Sequence, residues 1–434
     1  MKIGLSRGRP QDRIDKIERV SRTPNDPTHA PPAPRGAGFK WVLMLGALAA
    51  LPAITVDMYL PSLPTVAVDL NSTAAAAQLT VSGMLLGGGI GQLVIGPFSD
   101  RFGRRLPVLL GVAAHVLVSL ACIVAPTIEA LIALRVLQGF FNAAASVVAI
   151  AVIRDRFVGA EAARLLSRLM LVIGVAPLFA PTVGGAIASR GTWHLVFAAL
   201  AVIGAVLLVI VWRFMPETLP GDRRRIAGPR GVSAGYASLL KDKKFMAVAV
   251  IPGLGQAVIM SYVVGSTFVL QEEYGLSEQQ FAIAFAINGV ALVGSAQLNA
   301  ALVRRVAPVR ILRLALVVQL VLAGVLVAVS ATGAGGLVAL LCVLWLVLGM
   351  QGMIPANASM IALTPYGHMA GTAAALMGAM QAGLSGLISP LVGVFGGTGV
   401  AMASVMAFSI ATAVTVLAIA TPAYRRGGAW GDAS

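Results

Sequence analysis

GQLVIGPFSDRFGRRLPVLLG, Gly91 to Gly111, leaves one apolar run, turns through Asp100, Arg101, Arg104 and Arg105, and enters another apolar run at once. A soluble protein has no reason to place so short and charged a hinge between two such segments. In a bilayer the reason is plain: helices satisfy their own backbone polar groups, and charge stays in water. The chain crosses, touches a basic side briefly, and crosses back.

Composition agrees. Of 434 residues, 58% are hydrophobic and 11% charged, with a mean hydropathy of +0.88. Soluble domains carry about 25% charged residues, so this is an integral membrane protein. The net charge of +15 raises nucleic acid as a partner, but the placement of the charge argues against one. From Trp41 onward twelve apolar runs of spanning length follow, approximately 40–60, 78–98, 106–126, 130–153, 167–188, 193–214, 245–270, 280–302, 311–331, 336–356, 370–394 and 398–421. Each is long enough for a core of ~30 Å. The longest polar interval, Pro216 to Lys244, divides them six and six. The expected domains are a disordered basic cytoplasmic tail (1–39), a six-helix bundle (40–215), a cytoplasmic linker (216–244), a second six-helix bundle (245–421) and a short tail (422–434). The tail has no signal-peptide core; binding of anionic lipid or a partner is its alternative role.

With an even number of spans, both termini share a side with the 2–3, 4–5, 6–7, 8–9 and 10–11 loops. Thirty of the 32 Lys and Arg fall on that side; Arg190 and Arg135 are the exceptions. By the positive-inside rule both termini are cytoplasmic, and the basicity is a topology signal, not a nucleic-acid footprint. The halves also look related: Gly91, Gly96 and Arg101 have counterparts 203 residues on at Gly294, Asn299 and Arg304, while Asp100 becomes Val303. Internal repeats with binding near the midplane are how many secondary transporters are built.

GQLVIGPFSDRFGRR resembles the second-to-third-helix signature of the major facilitator superfamily. More narrowly, DMYLPSLP (Asp57 to Pro64), RVLQGFFNAAASVVAIAVIRDRF (Arg135 to Phe157), GVAPLFAPTVGG (Gly174 to Gly185) and PETLP (Pro216 to Pro220) are similar to the Bcr/CflA group of drug:proton antiporters. The resemblance covers about residues 40 to 421. It implies an all-α fold of twelve transmembrane helices in two pseudo-symmetric bundles, alternating access, and proton-driven export of small, often antibiotic-like compounds from a bacterial-type inner membrane.

Inside the spans, the acid or base groups of fixed sign are Asp57 and Arg135. An intramembrane ionisable residue is costly and is by default a functional hypothesis. Burial disfavours a charged carboxylate, so Asp57 reads as the proton carrier. Facing a water-filled cavity, it would let proton and cationic substrate compete for one site. The alternative is a helix-end acid: Asp57 stands 17 residues past Lys40, about 25 Å along a helix. Arg135 cannot usefully give up its proton. It stabilises an ionised acid or bonds carbonyls and Gln138, and the resemblance places it in a motif that assists proton transfer.

Gly91, Gly96, Asp100, Arg101, Gly103, Arg104 and Arg105 form the expected cytoplasmic gate. Small residues there allow close helix approach, Pro97 ends or bends the helix, and Asp100 is placed to accept amides at a neighbouring helix's N-terminus. The resemblance makes this turn a latch between the bundles; the plainer alternative is that its arginines only enforce topology. Gly174, Pro177, Pro181, Gly184 and Gly185 in the fifth span resemble the antiporter motif, against an ordinary bent helix. His115 and His194 are read as packed or interfacial side chains, with a proton-relay role as the alternative.

For the substrate cavity the candidates are Tyr59, Gln138, Phe141 and Asn142 from the first half and Gln256, Tyr262 and Gln381 from the second, with Asn288, Gln297, Gln351 and Asn357 as further polar groups. They suit a cationic or neutral amphipathic drug. Cys122 and Cys342 offer no metal spacing or disulfide framework, there is no nucleotide-binding loop, and no cofactor is expected beyond a proton gradient. A lipid-embedded monomer that exports drugs or metabolites is the leading expectation. A proton-coupled importer of an organic solute is the alternative on the same fold; a membrane enzyme or channel would need clustered ligands or filter loops, which the sequence lacks.

Overall fold

The computed structural model describes residues 38–157, 159–221, 224 and 229–420. The tail expected over 1–39 lies outside these up to residue 37, as do residues 421–434 and parts of the linker, Arg223 and Arg225 among them. Among the described residues, twelve helical segments are long and apolar enough to cross a membrane. In order they are Lys40–Asp69, Ala74–Phe102, Arg105–Ile123, Ile128–Arg156, Arg164–Ala188, His194–Phe214, Lys243–Glu273, Glu278–Leu302, Pro308–Thr332, Gly336–Gly367, Ala370–Val394 and Gly399–Ile419. We number them as spans one to twelve.

Their ends follow ordinary helix chemistry. Thr73 and Thr127 cap spans two and four by accepting the Ala76 and Ala130 amides, Asp242 caps span seven, and Ser277 with Gln280 closes a capping box on span eight. Each cap satisfies amides that have no partner within their own helix.

Four spans are broken where continuous helices are expected, span eleven among them, helical over Ala370–Ile388 and again over Leu391–Val394. Span one is helical over Gly38–Asp57, tightens to a 3-10 turn at Leu60–Ser62 and resumes over Leu63–Asp69. Pro61 and Pro64 have no amide to donate, so the helix cannot run through. Span seven ends in a π turn, Val269–Glu273, and span ten stops at Gln351 and restarts over Ile354–Leu363. Pro97 does not end span two, which continues to Phe102. The linker carries a helix, Pro229–Lys241, whose Leu239 is buried with Phe245, Leu376 and Met377.

Span two meets span four at very short range. A Cβ on Gly87 would overlap the Val136 carbonyl, one on Gly139 the Met84 carbonyl, and one on Gly91 the Phe140 carbonyl. Without lipid-excluding hydrophobic drive, membrane helices associate through such close packing. The halves meet chiefly along spans two and eleven and spans five and eight. Gly89 packs on Ala379 and Ala382, Gly378 on Gln92, and Gly185 on Glu278.

Candidate functional site

A cavity of about 890 Å³ lies between the halves, within the range that holds drug-sized ligands. Spans one, two, four, five, seven, eight, ten and eleven line it; spans three, six, nine and twelve do not. The lining of span eight shows how helix geometry builds the wall. Phe285, Asn288, Leu292, Ala296, Asn299 and Val303 recur every three or four residues, which places them on one helix face.

Asp57 lines this cavity and is its single Asp, Glu, Lys, Arg or His among the described residues. It stands where the regular part of span one ends, is 5% exposed, and takes part in no ion pair among the described residues. The helix before it is fixed by Thr55, which donates to the Leu51 carbonyl at 2.6 Å and accepts from Asn142 Nδ2 at 3.1 Å. The break after it is fixed by the fifth span: Gly184 abuts the Met58 carbonyl, where a Cβ would overlap.

One end of the cavity is sealed. Ser82 and Ser389 bring their hydroxyls to 3.4 Å between spans two and eleven, Gly393 abuts Ala75 and Gln78, and Gln271 donates to the Pro61 carbonyl at 3.4 Å. At the other end the lining reaches Val303 and Met360, beside Arg304 and Arg305. Asp57 therefore sits near the sealed end, and the cavity extends from it toward the face that carries the basic loops.

Arg135 does not line the cavity. It is fully buried, donating through Nη1 to Gln138 Oε1 at 2.6 Å and to the Thr55 carbonyl at 3.3 Å. Its guanidinium lies 4.8 Å from the Tyr59 ring centre and 5.8 Å from that of Phe197. A desolvated cation gains about 2 kcal/mol from such a ring face. Gln138 is held in turn by its donation to Ser119 at 2.8 Å.

Of the cavity candidates, Asn142, Gln256 and Tyr262 line it, as do Asn288, Gln297, Gln351 and Asn357. Tyr59, Gln138, Phe141 and Gln381 do not. Tyr59 is buried against Phe197 and bonded to Thr80 at 3.1 Å, Gln138 serves Arg135, and Phe141 packs edge-on to Phe140. Gln381 precedes the lining residue Ala382 on span eleven. Gln92, Ser146 and Asn299 line the wall and were missed as binding groups. For Gln92 the signal was its spacing of four from Gly88; Asn299 stood out only as the counterpart of Gly96.

The gate residues form a cluster inside the first half. Arg104 bonds Asp155 Oδ2 and Asp100 Oδ1, both at 2.6 Å, and the Ser99 hydroxyl at 2.7 Å. Burial pulls the guanidinium down, but the bonds and charges of Asp155 and Asp100 outweigh it and hold Arg104 above its usual value. Glu217, from PETLP, accepts the amides of Arg104 (2.8 Å), Arg105 (3.2 Å), Thr218 (2.9 Å) and Leu219 (3.0 Å). The amides expected to bind Asp100 are thus bound to Glu217 instead, and they belong to the turn itself. Burial would raise the Glu217 carboxyl; these amides outweigh burial and hold it below the usual value. Gly103 adopts φ +94° against the Glu217 side chain, a backbone state that side chains rarely tolerate. Arg105 donates to the Trp212 carbonyl at 2.6 Å, Arg101 is exposed over the Phe102 ring, and Gly96 faces open space.

In the fifth span, Gly184 and Gly185 make the approaches to Met58 and Glu278 given above, Gly174 lines the cavity, and Pro181 is buried. Pro177 lies within the helix, and its side-chain surroundings fall outside the described residues. His115 is buried beside Gly204, and His194 stacks on Trp193. The described residues contain no cluster of three metal-binding side chains.

Residues 43–390 match the model of the Major Facilitator Superfamily. An uncharacterized MFS-type transporter of Bacillus subtilis, YdgK, is 37% identical over 84% of this chain and 90% of its own. The bicyclomycin resistance protein homolog of Haemophilus influenzae is 31% identical over 82% of this chain and 89% of its own. Among solved structures, a D-xylose-proton symporter superposes with a TM-score of 0.70 over 86% of this chain and 97% of that one, at 16% identity.

Proposed function

The chain belongs to the major facilitator superfamily, and from that membership we propose that it exports small amphipathic compounds in exchange for protons. Asp57 is the coupling acid and the central cavity is the binding site. The observation that carries this is the isolation of Asp57: one carboxyl, in a cavity of drug-sized volume, with no ion-pair partner among the described residues.

An acid held this way has two ways to be neutralised. It takes a proton, or it pairs with a cationic ligand in the same space. Because the two compete, loading one releases the other, and that exclusion is antiport. The sealed end near Asp57 and the lining that reaches the basic face describe a site facing one side. By charge placement that side is the cytoplasm, from which an exporter loads. Alternating access then exposes the acid to the other side. Relatedness to a bicyclomycin resistance protein homolog supports a toxic amphipath over a nutrient as cargo.

The test is expression in a bacterium stripped of its own efflux pumps. Tolerance to several unrelated amphipathic toxicants is expected to rise, and a protonophore to abolish the gain in whole-cell accumulation assays. Increased accumulation of a solute on expression, with no gain in tolerance, identifies an importer and overturns the proposal.

A further inference from the structure

The two halves treat their arginines differently. In the first, the turn after span two carries Arg101, Arg104 and Arg105 with three carboxylates around it. Asp100 and Asp155 bond the Arg104 guanidinium, and Glu217 accepts the Arg104 and Arg105 amides. The matching turn after span eight carries Arg304 and Arg305, with Arg310 in the first turn of span nine. Asp100 is replaced there by Val303, and no Asp or Glu occurs from 279 to 420. Arg304, Arg305 and Arg310 are exposed, and the ion pairs among the described residues are those of Arg104 and Arg224. The second turn is a cluster of cations with no carboxylate of its own.

Arg304 and Arg305 also line a hollow of about 650 Å³. The rest of its lining comes from the last turns of span eight, Leu298, Ala301 and Leu302 among them. Leu298, Ala301, Leu302 and Arg305 recur at helical spacing, which sets them on one face. The same face continues away from the arginines through exposed Val290, Ile287 and Ile283. Gly294, between Val290 and Leu298, leaves open space where a side chain would stand. An apolar strip therefore runs along span eight and ends on a pair of arginines at the basic face.

An anionic phospholipid matches this strip in shape and charge, with apolar chains attached to a phosphate that sits at the interface. Guanidinium groups bind phosphate oxygens through paired, charge-assisted hydrogen bonds. Basic pockets beside membrane helices hold such headgroups. A zwitterionic lipid brings its own cation to the site and neutralises the arginines less well. We infer that Arg304 and Arg305 bind an anionic phospholipid from the leaflet at the basic face, its phosphate on the two guanidinium groups and its chains along the span-eight strip. Gln297 and Ala300 line both this hollow and the central cavity, so the lipid stands at the edge of that cavity.

Purified full-length protein, delipidated in detergent, is titrated with dioleoyl phosphatidylglycerol or with dioleoyl phosphatidylcholine, and the first lipid bound is followed by native mass spectrometry. The wild type is expected to bind phosphatidylglycerol roughly tenfold more tightly than phosphatidylcholine. Arg304→Gln with Arg305→Gln should bring the two within about twofold. Arg154→Gln with Arg213→Gln removes the same charge from exposed positions on the first half and should keep the preference. An undiminished preference in the first double variant overturns the site, and so does an equal loss in both, which would mean diffuse attraction to a basic surface. Equal binding of the two lipids by the wild type, or binding of neither, also overturns it. Displacement of phosphatidylglycerol by millimolar inorganic phosphate would mark a site for free anions and does the same. Should the first double variant not fold, these wild-type measurements decide the matter.

Discussion

Arg135 donates to the Thr55 carbonyl, two residues before Asp57, yet makes no ion pair with the Asp57 carboxylate. The two ionisable groups of fixed sign that the sequence places inside the spans are held apart, one at the cavity wall and one behind it. Arg135 therefore acts on the shape of span one, through its grip on the helix just before the break, and on the proposed reading Asp57 is left to exchange its proton with the cavity.

Arg135→Lys tests that division of labour. Lysine keeps the charge but not the flat fork that lies over Tyr59 and reaches two acceptors. Transport rate is expected to fall several-fold in reconstituted vesicles while the number of protons exchanged per substrate stays the same. A changed stoichiometry would give Arg135 a share in carrying the proton.

Glu217 gives a pH signature. Its folded value lies below the usual 4.5, so its contribution to stability is fully present above that usual value and is lost as pH falls through the folded one. Glu217→Gln should lower the melting temperature at pH 7, and the gap from wild type should close as pH drops below about 4.5. A gap that is constant or widens in acid would show that the four amide contacts do not stabilise the turn.

The close contact of spans two and four predicts opposite outcomes at two glycines. Gly139→Val drives a side chain into the Met84 carbonyl, where backbone must move, and overpacking costs about 1–3 kcal/mol or more. Folded yield by fluorescence-detected size exclusion should collapse. Gly96→Ala, facing open space, should leave the yield unchanged. Equal yields for the two variants would refute the packing.

Ser82 and Ser389 supply a direct handle on alternating access. Their hydroxyls are 3.4 Å apart at the sealed end, within reach of a disulfide after modest rotation. Ser82→Cys with Ser389→Cys, in a background carrying Cys122→Ala and Cys342→Ala, should cross-link on oxidation. Turnover should stop, and reductant should restore it. Full activity in the cross-linked protein would mean that this end never opens.

Much of the architecture was legible because the bilayer imposes length and polarity on every crossing. Twelve apolar runs became twelve spans, with ends shifted where helices extend past the apolar stretch, as at Ala74 and Phe102. The π turn that ends span seven left no comparable mark and depends on packing, whereas the halt of span ten at Gln351 is followed by Gly352 and by Pro355 in the first turn of the next helix. The linker helix, thirteen residues long, was too short to register among the spanning runs. Inside the site, polarity separated protein-facing from lipid-facing positions but not cavity from interior. Gln138 and Gly139 differ by one residue, or about 100° around the helix, yet only Gly139 reaches the cavity. Nor does a sequence say which acid an arginine meets. Arg104 found Asp100 four residues back and Asp155 fifty-one residues on.

Substrate-induced proton release tests the role of Asp57 most directly. Purified protein in detergent, in weakly buffered solution, is mixed with a compound to which it confers tolerance, and released protons are read with a pH-sensitive dye. The wild type should release protons on binding, and Asp57→Asn should bind the compound and release none. Undiminished release from a folded Asp57→Asn protein would contradict the assignment of Asp57 as the group that exchanges proton for substrate.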